Sequence, residues 1–230
     1  MTLHLRSTTL SLLLALAGLV SAKDTPIQIR ALLNDSVNRA DFYFGTPGKA
    51  MTQVELAVEG LTQPQKITPV GGVLNLFDSA QVTAANAKTH LAATMKVPAG
   101  SKSLIVIIVP VADQKPPYRM VAIPDDARSF PWNTNKVVNL TSMECLLEIG
   151  EMKLDLPADK VTDVPKLTHK GDTNQLQTNF SYKQNEQWQL ATERRLQYVD
   201  NLRRIFVIHK QPQALGPEVR TIQDEKLTKN

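Results

Sequence analysis

The densest grouping of chemistry-bearing side chains is basic. Arg194, Arg195, Arg203, Arg204 and Lys210 fall within one short stretch, interleaved with Trp188 and Tyr198. A guanidinium can hold a carboxylate or phosphate group through two parallel hydrogen bonds, so such a cluster fits an anionic glycan or an acidic protein surface. The same charges can instead guard an outer strand against edge-to-edge pairing. Aromatic residues make up only 5% of the chain. A sugar-stacking platform therefore needs most of Tyr182, Trp188 and Tyr198, which fit a core equally well.

The remaining reactive residues do not assemble into a catalytic signature. Beyond the N-terminal segment the histidines are His90, His169 and His209, and none has metal-ligand spacing to another His or to a Cys. Asp125 and Asp126 are adjacent and point apart in a strand or turn, and Asp41, Asp78 and Asp163 stand alone. A pair of glycosidase carboxylates has to converge from separate loops. The stretch "GTPGKA" (45–50) lacks the spacing, the hydroxyl residue and the following helix of a phosphate loop. Cys145 is the only cysteine, so no intramolecular disulfide can form, and its apolar setting marks it as a small core residue. The sequence implies no cofactor, no metal and no nucleic-acid partner.

These residues must be positioned mostly by strands. "IQIRALL" (27–33), "ADFYFG" (40–45), "VELAV" (54–58), "GVLNLFD" (72–78), "HLAATMKV" (90–97), "SLIVIIV" (103–109) and "YRMVAI" (118–123) alternate or run apolar between turn signals. "LIVIIV" is apolar on both faces and predicts a central strand. The pattern restarts with "KVVNLT" (136–141), "ECLLEI" (144–149), "MKLDL" (152–156) and "QLQTNFSYK" (175–183). Gly150-Glu151 suits the tight turn of a hairpin. The segment Glu186–Lys210 fits either one helix or two strands turning at Asp200-Asn201, because periodicity alone does not separate the two.

An internal repeat favours the strands. Asn34 and Asn139, like Gly45 and Gly150, are 105 apart, while Ile105 and Ile205, like Pro117 and Pro217, are 100 apart. "KVPAGSKSLIVIIVP" (96–110) parallels "QYVDNLRRIFVIHK" (197–210), which predicts a strand hairpin there. The expectation is an all-β chain of two tandem antiparallel β-sandwich domains, 23–127 and 128–226, with a tail at 227–230. Phe130 and Trp132 in the polar linker are expected to wedge between them. Asn34, Asn139 and Asn179 lie in N-x-Ser/Thr sites, where Asn and hydroxyl side chains also stabilise turns without any glycan.

The stretches "RALLNDSVNRADFYFG" and "KVVNLTSMECLLEIG" resemble immunoglobulin-like repeat domains of bacterial secreted and envelope proteins, over roughly fifteen residues in each copy. The resemblance implies a β-sandwich scaffold outside the cytoplasm and brings no catalytic residues with it.

The chain opens with Arg6, an apolar run from Leu10 to Val20, and then Ser21-Ala22. This is the layout of a secretory signal peptide (1–22) cleaved near Ala22, and the apolar run falls short of the ~20 residues a membrane span needs. Loss of Arg6 lowers the formal charge from +4 to +3, a mild excess. The sequence therefore points to an exported, non-enzymatic binding or structural module of the envelope or periplasm. Its partner is a protein or an anionic glycan. The alternatives are a glycan-active envelope enzyme using loop carboxylates and a subunit of a secreted assembly.

Overall fold

The computed structural model describes residues 24–34, 41–57, 60–111, 113–168, 173–211 and 213–226. The segment 1–22, His169 and the tail 227–230 lie outside the described residues. The first half carries β1 (Ile27–Leu33), β2 (Tyr43–Phe44), β3 (Thr52–Gln53), β4 (Gln65–Ile67), β5 (Val73–Phe77), a one-turn α1 (Ala87–His90), β6 (Leu91–Lys96), β7 (Ser103–Pro110) and β8 (Tyr118–Pro124). The second half carries β9 (Asn135–Asn139), β10 (Cys145–Ile149), β11 (Met152–Leu156), β12 (Val161–Val164), β13 (Gln175–Gln184), β14 (Gln187–Gln197), β15 (Leu202–His209) and β16 (Glu218–Glu225).

The strands form four sheets of four, in the orders β3-β2-β5-β6, β4-β1-β7-β8, β12-β9-β15-β16 and β11-β10-β13-β14. Adding eight to each strand number of the first half reproduces the two orders of the second. The sheets are antiparallel except at two places. β1 runs parallel to β7, and β9 runs parallel to β15. A purely antiparallel arrangement is therefore corrected at these pairs. A parallel pair needs a long crossover, and here strands of the other sheet supply it.

Three apolar clusters lie between successive sheets. One joins the two sheets of the first half around Ile29, Phe42, Leu76 and Val106. A second joins the two sheets of the second half around Leu147, Phe180, Tyr182 and Phe206. The third joins the halves, with Leu32, Ile105, Ile107, Ile123 and Phe130 against Val138, Ile205, Val207 and Ile222. β7 shows why its sequence is apolar throughout. Leu104, Val106 and Ile108 face the first cluster, while Ile105, Ile107 and Val109 face the third. Side chains alternate across a strand, so burial on both faces demands a continuous apolar run. β15 repeats the device with Phe206 and Ile208 on one face and Ile205 and Val207 on the other.

Several local expectations are revised. "VELAV" forms no named strand; Ala57 contributes only an isolated bridge to Leu32. His90 ends α1 rather than opening β6. β4 and β12 are short and partly polar, so alternation does not reveal them. Residues 187–209 are two strands, not a helix, yet they are no hairpin. β14 pairs with β13, while β15 pairs with β9 and β16 in a different sheet. The Asn34 and Asn139 markers are one position out of register. Leu33 pairs with Ile108 and Asn139 with Ile208, and it is Asn34 and Leu140 whose amides donate to those isoleucine carbonyls.

Two tight turns follow their residues. Gly150 adopts φ 56° between Ile149 and Met152, which pair directly across the two-residue loop. Asn185 and Glu186 both take positive φ, 50° and 61°, joining β13 to β14. Asn tolerates this region and Glu does so at a cost.

Phe130 is 1% exposed at the centre of the cluster that joins the halves. Truncation of such a ring costs about 3–5 kcal/mol. Phe130→Ala should lower the urea midpoint of the whole chain in one transition, read by Trp fluorescence and by far-UV circular dichroism. Two separated transitions would show that the halves unfold independently.

Candidate functional site

The basic cluster of the sequence is dispersed by the fold. Arg203 and Arg204 are neighbours on β15, so their side chains leave opposite faces. Arg203 turns toward the junction of the halves and Arg204 toward the second-half core. Arg194 and Arg195, on β14, belong to another sheet. Both are exposed, as are Trp188 and Lys210, whereas Arg203, Arg204 and Tyr198 are buried.

Arg203 belongs to a buried tetrad with Arg30, Asp125 and Asp224. β1 supplies Arg30, the end of β8 leads to Asp125, the second residue of β15 is Arg203, and β16 carries Asp224. Arg30 holds Asp125 through Nε (2.9 Å) and Nη2 (3.0 Å). It also holds Asp224 through Nη1 (2.9 Å) and Nη2 (2.7 Å). Arg203 donates from Nε to Asp224 (2.8 Å), from Nη2 to Asp125 (2.6 Å), and from Nη1 to the Phe130 carbonyl (2.6 Å). Its guanidinium lies 4.4 Å from the ring centres of both Phe130 and Trp132. The four side chains are 7–12% exposed. Each half thus contributes one cation and one anion, and each cation reaches across to the other half's anion.

Burial alone would push Arg30 down, but hydrogen bonds and charge from Asp224 and Asp125 outweigh it and hold Arg30 above its ordinary value. Burial alone would raise Asp224, yet Arg30 and Arg203 together hold it below the usual carboxylate range. Both carboxylates accept hydrogen bonds from both arginines, so their oxygens are already committed within the tetrad.

Arg204 takes a different structural part. It donates to the Gln197 carbonyl and lies 5.1 Å from the Tyr198 ring centre. Its Nε is buried with no hydrogen-bond partner among the described residues, and burial lowers its pKa. Tyr198 bonds Thr178 through its hydroxyl at 2.7 Å, and burial raises its pKa. Arg194 ties β14 to β16 through Thr221 Oγ1 (2.9 Å) and the Val219 carbonyl (3.0 Å). Asn139 is 1% exposed; its amide donates to the carbonyls of Met143 and Leu156, and its oxygen accepts from Thr141. It is a turn residue with no room for a glycan.

The open surface is the outer face of the β11-β10-β13-β14 sheet. Residues paired across strands form rows there: Lys183 with Trp188, then Leu146 with Ser181 and Leu190, then Glu148 with Asn179 and Glu193, then Gln177 with Arg195. Trp188 is 47% and Leu190 57% exposed. At one end lies a shallow open depression of about 520 Å³ lined by Ser142, Met143, Glu144, Lys183, Asn185 and Glu186. Lys183 bridges Glu186 (2.9 Å) and Glu144 (3.6 Å). Sequence reasoning names Trp188 and Arg195 as candidate binding residues but not Leu190, Glu144 or Lys183, since only strand register brings all five to one sheet.

Elsewhere, His90 Nδ1 lies 2.8 Å from Asp78 Oδ1 on the surface, and burial lowers the His209 pKa. Among the described residues, no group of three or more His, Cys, Asp and Glu side chains is placed to hold a metal ion. Also among them, no helix is long and apolar enough to cross a membrane.

Asp224→Asn leaves two buried arginines short of a charge and should cost about 3–5 kcal/mol. Arg30→Met with Asp224→Leu removes one cation and one anion together. The double variant should be clearly more stable than the two single losses predict, as a double-mutant cycle by urea denaturation measures. Additivity would mean no coupling. Because the folded pKa of Asp224 lies below its unfolded value of about 3.9, its share of stability is complete above that pH. It is lost as pH falls through the folded value. Asp224→Asn should therefore flatten the acid limb of the stability–pH profile. Comparison of the sequence with protein-family models and with curated proteins yields no match.

Proposed function

We propose that the protein is an exported, non-enzymatic binding or structural module of the bacterial envelope, built of two tandem immunoglobulin-like β-sandwich units. The recurrence of one strand order in both halves supports the duplication. The parallel contacts of β1 with β7 and β9 with β15 depart from a purely antiparallel sandwich of that type. The observation that carries the functional reading is the contrast between the two polar regions. Among the described residues, the buried constellation of acids and arginines is consumed in holding the halves together. The accessible groups lie on an open sheet face with Trp188, Leu190, Lys183 and Arg195. A flat face of that kind makes contacts and does not enclose a reacting bond. Its partner is a protein or an anionic glycan of the envelope.

A second reading, a glycan-active enzyme, draws on Glu144 and Glu186 at the depression. Lys183 between them neutralises one charge and occupies the place a substrate would take.

Two measurements test the proposal. Mass spectrometry of the protein recovered from a bacterial periplasm should show Lys23 as its first residue; an intact Met1 in the recovered protein would contradict export with cleavage. A polyuronate titration should give binding that Trp188→Ala with Arg195→Ala weakens at least about tenfold, with no new reducing ends. Release of reducing ends that depends on Glu144 or Glu186 would establish the enzyme instead.

A further inference from the structure

We infer that β14 is a self-pairing edge, and that two copies of this chain join through it in an antiparallel two-fold. The inference rests on reading the chain as a contact module, and it names one partner of the exposed sheet. β14 is last in its sheet order, so one side of its backbone has no strand partner among the described residues. It is also long, with eleven residues. Proteins normally guard such an edge with charge, proline, a bulge or a cover. Here the far end is guarded. Glu193, Arg194 and Arg195 are charged, the pairing with β13 is bulged near Ala191, and Arg194 is tied to β16. The near end, Gln187–Thr192, has no charge and no proline, and it exposes Trp188 and Leu190. The corresponding strand of the first half, β6, has six residues and lies against β8.

The register of the hairpin shows which backbone groups are open. Asn185 and Glu186 form a two-residue loop, so Gln184 and Gln187 close it as a hydrogen-bonded pair. Bonding then alternates along the strand. Gln187 and Gln189 point their amides and carbonyls toward β13, and Trp188 and Leu190 point theirs outward. Two such edges meet antiparallel on a two-fold at Gln189. Trp188 of one copy then stands opposite Leu190 of the second copy, and the reverse, as two hydrogen-bonded pairs exchanging four backbone bonds. Both pairs place the indole beside the leucine on the same outer face, where cross-strand aromatic–aliphatic pairs are stabilising. An isologous contact of this kind closes at two copies, which answers the hazard of an unguarded edge without open-ended growth.

The test uses the full chain as the cell processes it. Sedimentation velocity across the micromolar range should show a monomer–dimer equilibrium, and Leu190→Lys should weaken it at least about tenfold. Because Leu190 is exposed, the variant should keep the wild-type circular dichroism. Gln189→Cys supplies the positive signature. A residue on the two-fold is a non-hydrogen-bonded pair with Cα atoms about 4.5 Å apart, inside the range that a disulfide spans. Gln189→Cys should cross-link into dimers on mild oxidation, and Arg195→Cys should not; the native Cys145 is buried. A monomer across the range, a dimer indifferent to Leu190→Lys, or cross-linking at position 195 equal to that at 189 would each overturn the inference. A monomer that still binds polyuronate through Trp188 would reject self-pairing and leave the contact-module reading standing.

Discussion

The rest of the structure depends on a neutral knot of charge at the junction of the halves. Arg30, Asp125, Arg203 and Asp224 are all nearly buried, and ions taken from water are costly unless every lone pair and every N–H finds a partner. The knot meets that requirement through bidentate geometry, and Arg203 gains a further carbonyl and two aromatic faces. Its value is specificity more than strength. Apolar surfaces such as Ile105, Ile107, Ile205 and Val207 could slide over one another at little cost, whereas crossed arginine–aspartate pairs are satisfied in one placement only. Removal of any one member leaves an uncompensated buried charge.

Around this junction the chain is layered, sheet on sheet, with the two inner sheets apolar on both faces. That layering explains why the interior can dispense with disulfides: Cys145 is buried among apolar neighbours and burial raises its thiol pKa. It also explains where function can lie. Acids and arginines spent on the junction are inaccessible, so chemistry or contact falls to the outer sheets. Of the outer strands, β14 presents both an apolar side-chain strip and a free backbone edge.

Much of the fold is legible in the sequence. The continuous apolar run of β7 and the turn at Gly150 each have a local physical cause, and each is where pattern places it. The Glu186–Lys210 segment is ambiguous because Trp188, Ala191, Val199, Leu202 and Ile205 share a face as a helix while Trp188, Leu190, Leu196 and Tyr198 share one as strands. What resolved it was the paired layout of the first half, not the segment itself. The candidate site was much less legible. Arg203 and Arg204 are adjacent in sequence, and only a one-residue alternation on β15 separates a junction residue from a core residue. Asp125 and Asp224 are almost a hundred residues apart, so no spacing rule connects them to Arg30. Pattern does not mark Leu190 as a site residue, since an apolar residue in an alternating strand is ordinarily buried, and the position of β14 at the end of its sheet exposes it.

The central claim is that the two halves form one cooperative body held at the inner sheets. Native-state hydrogen exchange tests it most directly. The slowest amides of β7 and β15 belong to different halves. If the junction makes them one unit, they exchange through the same global opening, with equal free energies and equal denaturant dependence. A gap of several kcal/mol between the two strands, with one half opening while the other stays protected, would contradict the account.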